Sequence, residues 1–285
     1  MVRTDALSGI RMLVDYHIHP NYSLDAEGSI NEYCRRALVI GLDEICFTTH
    51  HDINPGGRNE GIVARVKDKL VPMDSNWLES YFEEINRAKE AYSESGLRVK
   101  IGVEVDYYLD FEDEIRENLS GYPFDYILGS VHCLDHTGIT NRREYRQCFK
   151  DRTARELCEE YYSVLKEAVR SDIFDVMAHL DIYRWYGTEY YGKEAFSSGY
   201  GLAEPILELM AKNGIGLEIN TAAFHRGDSE PYPSIRLLKK SMQKGVKIFT
   251  VGSDCHRVSD LGRDIERALG LANKFGFRIH TFFER

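Results

Sequence analysis

The segment LVDYHIHP, residues 13–20, begins like a buried strand and then places two imidazoles two residues apart, at His17 and His19. Alternate strand residues face the same side, so both rings point one way. A His-x-His pair alone also occurs as ordinary hydrogen-bonding residues. It gains meaning because later apolar runs end on similar groups. These are His50 with His51, Glu104 inside GVEVD, His132, His179, Glu218 with Asn220, and Asp254 with His256 just after. His17, His19, Asp25, His50, Glu104, His132, His179, Asp254 and His256 make nine candidate metal ligands. Imidazoles and carboxylates converging on one place are the donor set for Zn²⁺, Mn²⁺ or Fe²⁺. Buried without ions, they would carry a large desolvation cost. With bridging carboxylates, this many donors suits roughly two or three divalent ions.

Such a cluster needs elements that bring distant residues to one mouth. Candidate strands lie at 11–19, 44–50, 99–107, 125–132, 174–181, 215–221 and 247–254. Helical periodicity marks 30–41, 77–96, 154–171, 203–214, 234–245 and 263–276. Several of these helices close on glycine, at Gly41, Gly96, Gly214, Gly245 and Gly276, as helix C-termini often do. The final piece, FRIHTFF, reads as one more strand. Strands that are apolar on both faces and separated by helices predict an α/β fold with a parallel sheet inside and helices outside. Seven repeats favour a closed barrel over an open doubly wound sheet. The C-terminal strand ends of such a barrel carry the active site. One domain over 1–285 is the economical reading, with the connections around 51–74 and 133–152 as loops over one end.

Composition narrows the function classes. A net charge of −10 over 285 residues opposes broad contact with nucleic acid, which needs a basic face. It leaves room for a small phosphorylated substrate, because local charge governs that. The six cysteines form no C-x-x-C pair and read as reduced thiols. There is no secretory pattern and no long uncharged apolar run, so no membrane association is expected and the expected location is the cytoplasm. Oligomeric state is not legible.

With these residues in view, the chain resembles the PHP (polymerase and histidinol phosphatase) family from about residue 13 to 257. DYHIHPNYSLD resembles its first motif and carries His17, His19 and Asp25. FTTHHD resembles the second and carries His50, with Thr49 where an acid is common and His51 additional. GVEVDY, GSVH, MAHLD and GSDCH supply Glu104, His132, His179, and Asp254 with His256. The resemblance implies a distorted (β/α)₇ TIM-like barrel and a metal centre of Zn²⁺, Mn²⁺ or Fe²⁺. It also implies that His17, His19, Glu104 and Asp254 hold one ion, Glu104, His132 and His179 a second, and Asp25, His50 and His256 a third. EINTAAFHRGDSEPYPS and HLDIYRWYG resemble the histidinol-phosphate phosphatase subgroup, which implies hydrolysis of L-histidinol phosphate in histidine biosynthesis. The segment CLDHTGITNRREYRQCF has no clear counterpart there.

The expected chemistry is in-line attack of a metal-bridging hydroxide on phosphorus, with ions stabilising the developing charge. Asp254 and His225 are the candidates for protonating the leaving alkoxide. Arg226 and Arg184 are candidates for phosphate recognition, because guanidinium forks match phosphate oxygens. Asn220 belongs to the same substrate-binding segment, and Glu230 could pair with an ammonium group. Asp106 is expected to orient a ligand, His51 to face away from the cluster, and His136 to lie in a loop. His280 is expected to be structural. The tyrosines of 185–192 could form an aromatic wall or a packed loop. Three alternatives stand beside this reading. One is a family member acting on nucleotides or another small phosphoester. The second is an amidohydrolase-like metal hydrolase, which the second-strand His50 and the closing Asp-x-His oppose. The last is a non-catalytic module, which the full ligand set opposes.

Overall fold

The computed structural model describes residues 2–3, 12–54 and 63–282. Seven parallel strands form the centre: β1 Val14–Ile18, β2 Glu44–Phe47, β3 Arg98–Asp106, β4 Tyr126–Ser130, β5 Val176–Met177, β6 Gly216–Asn220 and β7 Phe249–Gly252. Each hydrogen-bonds to its neighbour in chain order. A helix follows every strand: α1 Ile30–Ile40, α2 Trp77–Tyr92, α3 Glu112–Leu119, α4 Ala154–Arg170, α5 Glu204–Asn213, α6 Ile235–Gln243 and α7 Ile265–Phe275. The fold is the expected nearly closed α/β barrel. Ser29 and Thr153 cap α1 and α4, each in a reciprocal pair with a glutamate three residues on.

The barrel closes between its first and last strands. Asp254 N donates to His17 O at 2.9 Å, and His19 N donates to Cys255 O at 3.0 Å. Buried Asp15 locks the seam by accepting from Ser253 N at 2.9 Å and Gly262 N at 3.0 Å. Closure therefore places His17 and His19 directly beside Asp254. A related device recurs around the barrel. Asp43, Asp125 and Asp175, just before β2, β4 and β5, each accept a backbone N–H next to or within the strand before, from Leu13, Ile101 and Ile127 at 2.7–2.8 Å. These staples set strand register and so the depth of each strand end.

The connections carry more structure than the sequence reading held. Within 51–74 lies a hairpin, Val63–Val66 with Lys69–Pro72, while 55–62 falls outside the described residues. His50–His51 pairs with β3, setting His50 opposite Glu104. Within 133–152 are a small hairpin and the helix Tyr145–Phe149. The tyrosine-rich stretch, read as an aromatic wall or a packed loop, is a helix, Arg184–Tyr191, with Trp185 lining the cavity. Its glycines and aromatics carry little helix signal, and packing decides. β5 is shorter than expected, and His179 beyond it has φ +20°. The last strand pairs Thr281–Phe282 with Val2–Arg3. His280 braces β7 by accepting from Phe249 N at 3.2 Å, the structural role expected. No helix among the described residues is long and apolar enough to cross a membrane.

Gly252 sits at the closing seam. A Cβ there would press on the Cβ of His17 and on Glu218 Oε1. Gly252→Ala should cost about 1–3 kcal/mol of overpacking, a melting temperature lower by several degrees. A thermal melt matching wild type would show that the seam has slack.

Candidate metal centre

The C-terminal strand ends bring all nine candidate ligands into one cluster around Glu104. Its buried carboxylate divides between two groups. Oε2 lies 3.3 Å from His17 Nε2, 3.5 Å from His19 Nε2 and 2.9 Å from His50 Nδ1. Oε1 lies 3.0 Å from His179 Nε2 and 3.6 Å from His132 Nε2. The Asp254 Oδ1 atom sits 3.5 Å from His17 Nε2 and 3.3 Å from His19 Nε2. Asp25, on the loop after β1, approaches His256 Nε2 at 3.2 Å and His50 Nε2 at 3.8 Å. Several triplets of these groups bring donor atoms within 4.8 Å of one another, among them His17, His19 and Glu104, and His19, His50 and His256.

Two observations test whether ions fit. His17 Nε2, both nitrogens of His19 and Glu104 Oε2 are buried and make no hydrogen bond. Such atoms are costly unless something else partners them. Next, His132 Nε2 and His179 Nε2 lie 3.2 Å apart. That separation is close to what two imidazole nitrogens bound to one tetrahedral ion would have. The donor set and the orphaned atoms fit divalent ions.

Partners behind the ligands fix ring orientation. His17 Nδ1 donates to Glu218 Oε1 at 2.7 Å, leaving Nε2 toward the cluster. His132 Nδ1 pairs with Asp106 Oδ1 at 2.9 Å, the orienting role expected of Asp106. His256 Nδ1 donates to Asp254 O at 3.1 Å. Carboxylate or carbonyl partners of this kind set the tautomer of a ligating histidine. Glu218 was visible in the sequence only as one more strand-end acid. Its place behind His17 comes from the β6–β7–β1 contact across the seam.

The charges are strained without ions. Burial alone would lower the pKa of His50, His132 and His256, but nearby carboxylates override it. Glu104 and Asp25 act on His50, Asp106 and Glu104 on His132, and Asp25 and Asp254 on His256; each is pushed up to about 9. His19 moves the other way, because burial and the neighbouring His50 and His256 disfavour its charge. Asp254 would be raised by burial, yet His17, His19 and His256 hold it well below the usual carboxylate range.

The substrate-side expectations divide. Arg226 stacks its guanidinium 3.0 Å from the centroid of Trp185, which lines the cavity, while Arg226 itself is not among the described lining residues. Arg184 does not open to the mouth. It is 1 % exposed, its Nε is 3.0 Å from Asp181 Oδ2, and its Nη2 donates to Pro231 O at 2.6 Å. It is a buried clamp where phosphate contact or a surface salt bridge was expected. Asn220 is buried too, donating to Glu218 Oε2 at 3.1 Å and Asp254 Oδ2 at 3.2 Å, and so steadies Asp254. Glu230 accepts from Ile235 N at 3.2 Å at the start of α6, where an ammonium contact was expected. His225 lies 3.6 Å from Asp264 and is not among the described residues lining the cavity, which leaves it badly placed for an acid. His51 faces away and packs beside Trp77, with ring centroids 6.2 Å apart. His136 meets Asn54 Oδ1 at 3.0 Å in its loop.

The cluster opens into a cavity of about 630 Å³. Beyond the ligands its wall includes Asp52, Asn54, Asn141 and Glu144, with Val63, Leu70 and Trp185 as apolar rim. Asp52 accepts from Tyr108 Oη at 2.7 Å and Asn54 N at 2.8 Å, and burial with the nearby Asp106 charge pushes it up to about 6.

Comparison with known proteins gives a consistent answer. A family model described as the PHP domain matches residues 15–222. A probable histidinol-phosphatase of Deinococcus radiodurans is 29% identical over 273 residues, covering 96% of this chain and 97% of that one. The histidinol-phosphatase of Lactococcus lactis is 29% identical over 272 residues, covering 94% of each. The crystal structure of the Lactococcus lactis histidinol phosphate phosphatase, complexed with Zn, L-histidinol and phosphate, superposes with a TM-score of 0.77 at 27% identity, covering 95% of this chain and 96% of that one.

Two outcomes follow from the geometry. Glu218→Gln removes the charge that orients His17 and should weaken metal affinity by about 10–100-fold; unchanged affinity in a metal titration would remove Glu218 from the centre. In ion-free protein, rings with a pKa of about 9 are protonated at pH 7, and an ion binds only the neutral ring. Ion uptake should therefore release protons, with apparent affinity rising from pH 7 to pH 9. Calorimetry in buffers of differing ionisation heat reads this, and buffer-independent heats at pH 7 would contradict it.

Proposed function

The chain belongs to the PHP domain family, and from that premise we propose that it is a metal-dependent phosphatase that hydrolyses L-histidinol phosphate to L-histidinol and phosphate. The observation that carries the reading is a cavity whose lining joins the ligand cluster to further carboxylates. The cluster is suited through its ions to a phosphate dianion. The lining adds Glu144 and Asp52, the latter within electrostatic reach of Asp106 and His50. Among the described lining residues the one arginine is Arg65, and its guanidinium is committed to backbone carbonyls. A wall of this charge favours a phosphoester whose alcohol carries an ammonium or imidazolium group. It disfavours nucleotides and bisphosphates, whose far ends are anionic. The volume lies in the usual range for a small-molecule site.

Divalent ions held by the nine ligands supply Lewis acidity toward phosphate oxygens and water ionised near neutral pH, the expected nucleophile. The chain's own residues do the rest. Glu104 spans two ligand groups with its two oxygens and holds them at a fixed separation. Glu218 and Asp106 keep Nε2 of His17 and His132 turned inward. Asn220 and the histidines hold Asp254 as a carboxylate, which makes it a ligand in this reading and leaves the alkoxide proton to another source. Arg226, stacked on the cavity residue Trp185, adds positive charge behind that part of the lining. The curated relatives named above are histidinol-phosphatases over their full length, which supports the substrate.

Phosphate release, with Mn²⁺ or Zn²⁺ supplied, should be measured from L-histidinol phosphate, neutral-tailed alkyl phosphates and nucleotides. The expected result is a preference of about 100-fold or more in kcat/KM for L-histidinol phosphate, the scale of one or two charge-assisted contacts. Better turnover of a nucleotide or of a neutral alkyl phosphate would overturn the substrate while keeping the phosphatase.

A further inference from the structure

Arg65 lies on the hairpin strand Val63–Val66, distant in sequence from every candidate ligand, yet the loop after β1 is wrapped around it. Its backbone N–H donates to Tyr22 O at 2.9 Å. Its Nη1 donates to Asn21 O at 3.1 Å and Ala26 O at 3.2 Å, with Ser23 O at 3.5 Å. Its Nη2 donates to Leu24 O at 3.0 Å. A run of backbone carbonyls thus turns inward onto one guanidinium. Carbonyl dipoles so arranged repel one another, and a cation with several fixed donors relieves the repulsion.

This loop carries Asp25. The Asp25 side chain is 61% exposed, the least enclosed of the candidate ligands, and among the described residues its ion-pair partners are the histidines His50 and His256. The loop is tied to the same two histidine segments. His50 N donates to Ser23 Oγ at 3.1 Å, and Glu27 N donates to His256 O at 2.8 Å. The shape of the loop therefore sets whether Asp25, His50 and His256 can share an ion. We propose that Arg65 is a positioning residue: by gathering the carbonyls of residues 21–26 it holds Asp25 against His50 and His256, and so assembles the outermost ion site. The inference rests on the reading of the cluster as an ion-binding centre. It also gives the hairpin a role, as a wall of the cavity that reaches behind it to organise the metal site. Arg65 lines the cavity as well, but its donors are engaged with the loop and not aimed at substrate.

The test is bound zinc per chain, measured by elemental analysis after equilibrium dialysis at graded free Zn²⁺. The proteins are wild type, Arg65→Met, Arg65→Lys, Asp25→Asn and the double variant Asp25→Asn/Arg65→Met. Arg65→Met should hold one ion fewer than wild type, with that ion's affinity weakened at least tenfold. Arg65→Lys should fall between, because an ammonium has fewer donors and no fork. If Arg65 acts through Asp25, the double variant should match Asp25→Asn. A merely structural role would instead add a further loss. Wild-type occupancy in Arg65→Met, or extra ion loss in the double variant, would overturn the proposal. Should Arg65→Met fail to fold by circular dichroism, Arg65→Lys decides alone, and unchanged ion binding in it overturns the proposal. Wild type that holds no zinc would sink the proposed function too. Wild type that holds zinc, with all Arg65 variants equal to it, sinks only this inference.

Discussion

A buried carboxylate between two sets of imidazoles governs this structure. Glu104 is 1 % exposed, and five histidines, at or just beyond the ends of β1, β4 and β5 and on the His50–His51 strand, approach its two oxygens. In so dry a place Coulomb interactions are much stronger than in water. Left alone, the cluster must either take up protons on rings that crowd one another or leave nitrogens and oxygens without partners. Both are unfavourable, and divalent ions remove both problems. The barrel is the frame that tolerates this concentration of charge, because the candidate ligands apart from Asp25 sit on or just beyond strand ends and cannot drift outward.

That anchoring depends on closure. A parallel sheet left open would keep His17 and His19 far from Asp254 and His256. The hydrogen bonds between β1 and the end of β7, locked by Asp15, join the first and last ligands of the chain. Glu218 then reaches His17 across the same seam, and Gly252 makes room for the contact. The seam is thus part of the metal centre as much as part of the fold.

Above the candidate ligands the connections line the cavity. The hairpin after the His50–His51 strand, the segment after β4 and the helix at Arg184–Tyr191 supply carboxylates, amides and aromatic rings that the barrel strands do not carry. Asp52 and Glu144 in that lining are the physical basis of the proposed cationic-tailed substrate. Buried Arg184, expected at the phosphate, instead ties Asp181 to Pro231 and stabilises the walls from behind.

The barrel and the clustering of its nine candidate ligands were legible in the sequence because both are written locally. An apolar strand ending in a polar donor is a short pattern, repeated seven times, and parallel α/β barrels place such ends at one mouth. Helices with closing glycines read equally well. What the sequence could not show depends on long-range contact. His-x-His does not reveal that Glu218 stands behind one ring. An arginine in HLDIYRWYG does not show whether it faces water, phosphate or an aspartate three residues back. Glu230 looked like a recognition residue and is a helix cap, because the turn before α6 curls it onto Ile235. Arg65 carried no motif at all. Its importance arises only when a distant hairpin folds against the loop of Asp25, a contact that chain closure and packing decide and that local residue preference cannot encode.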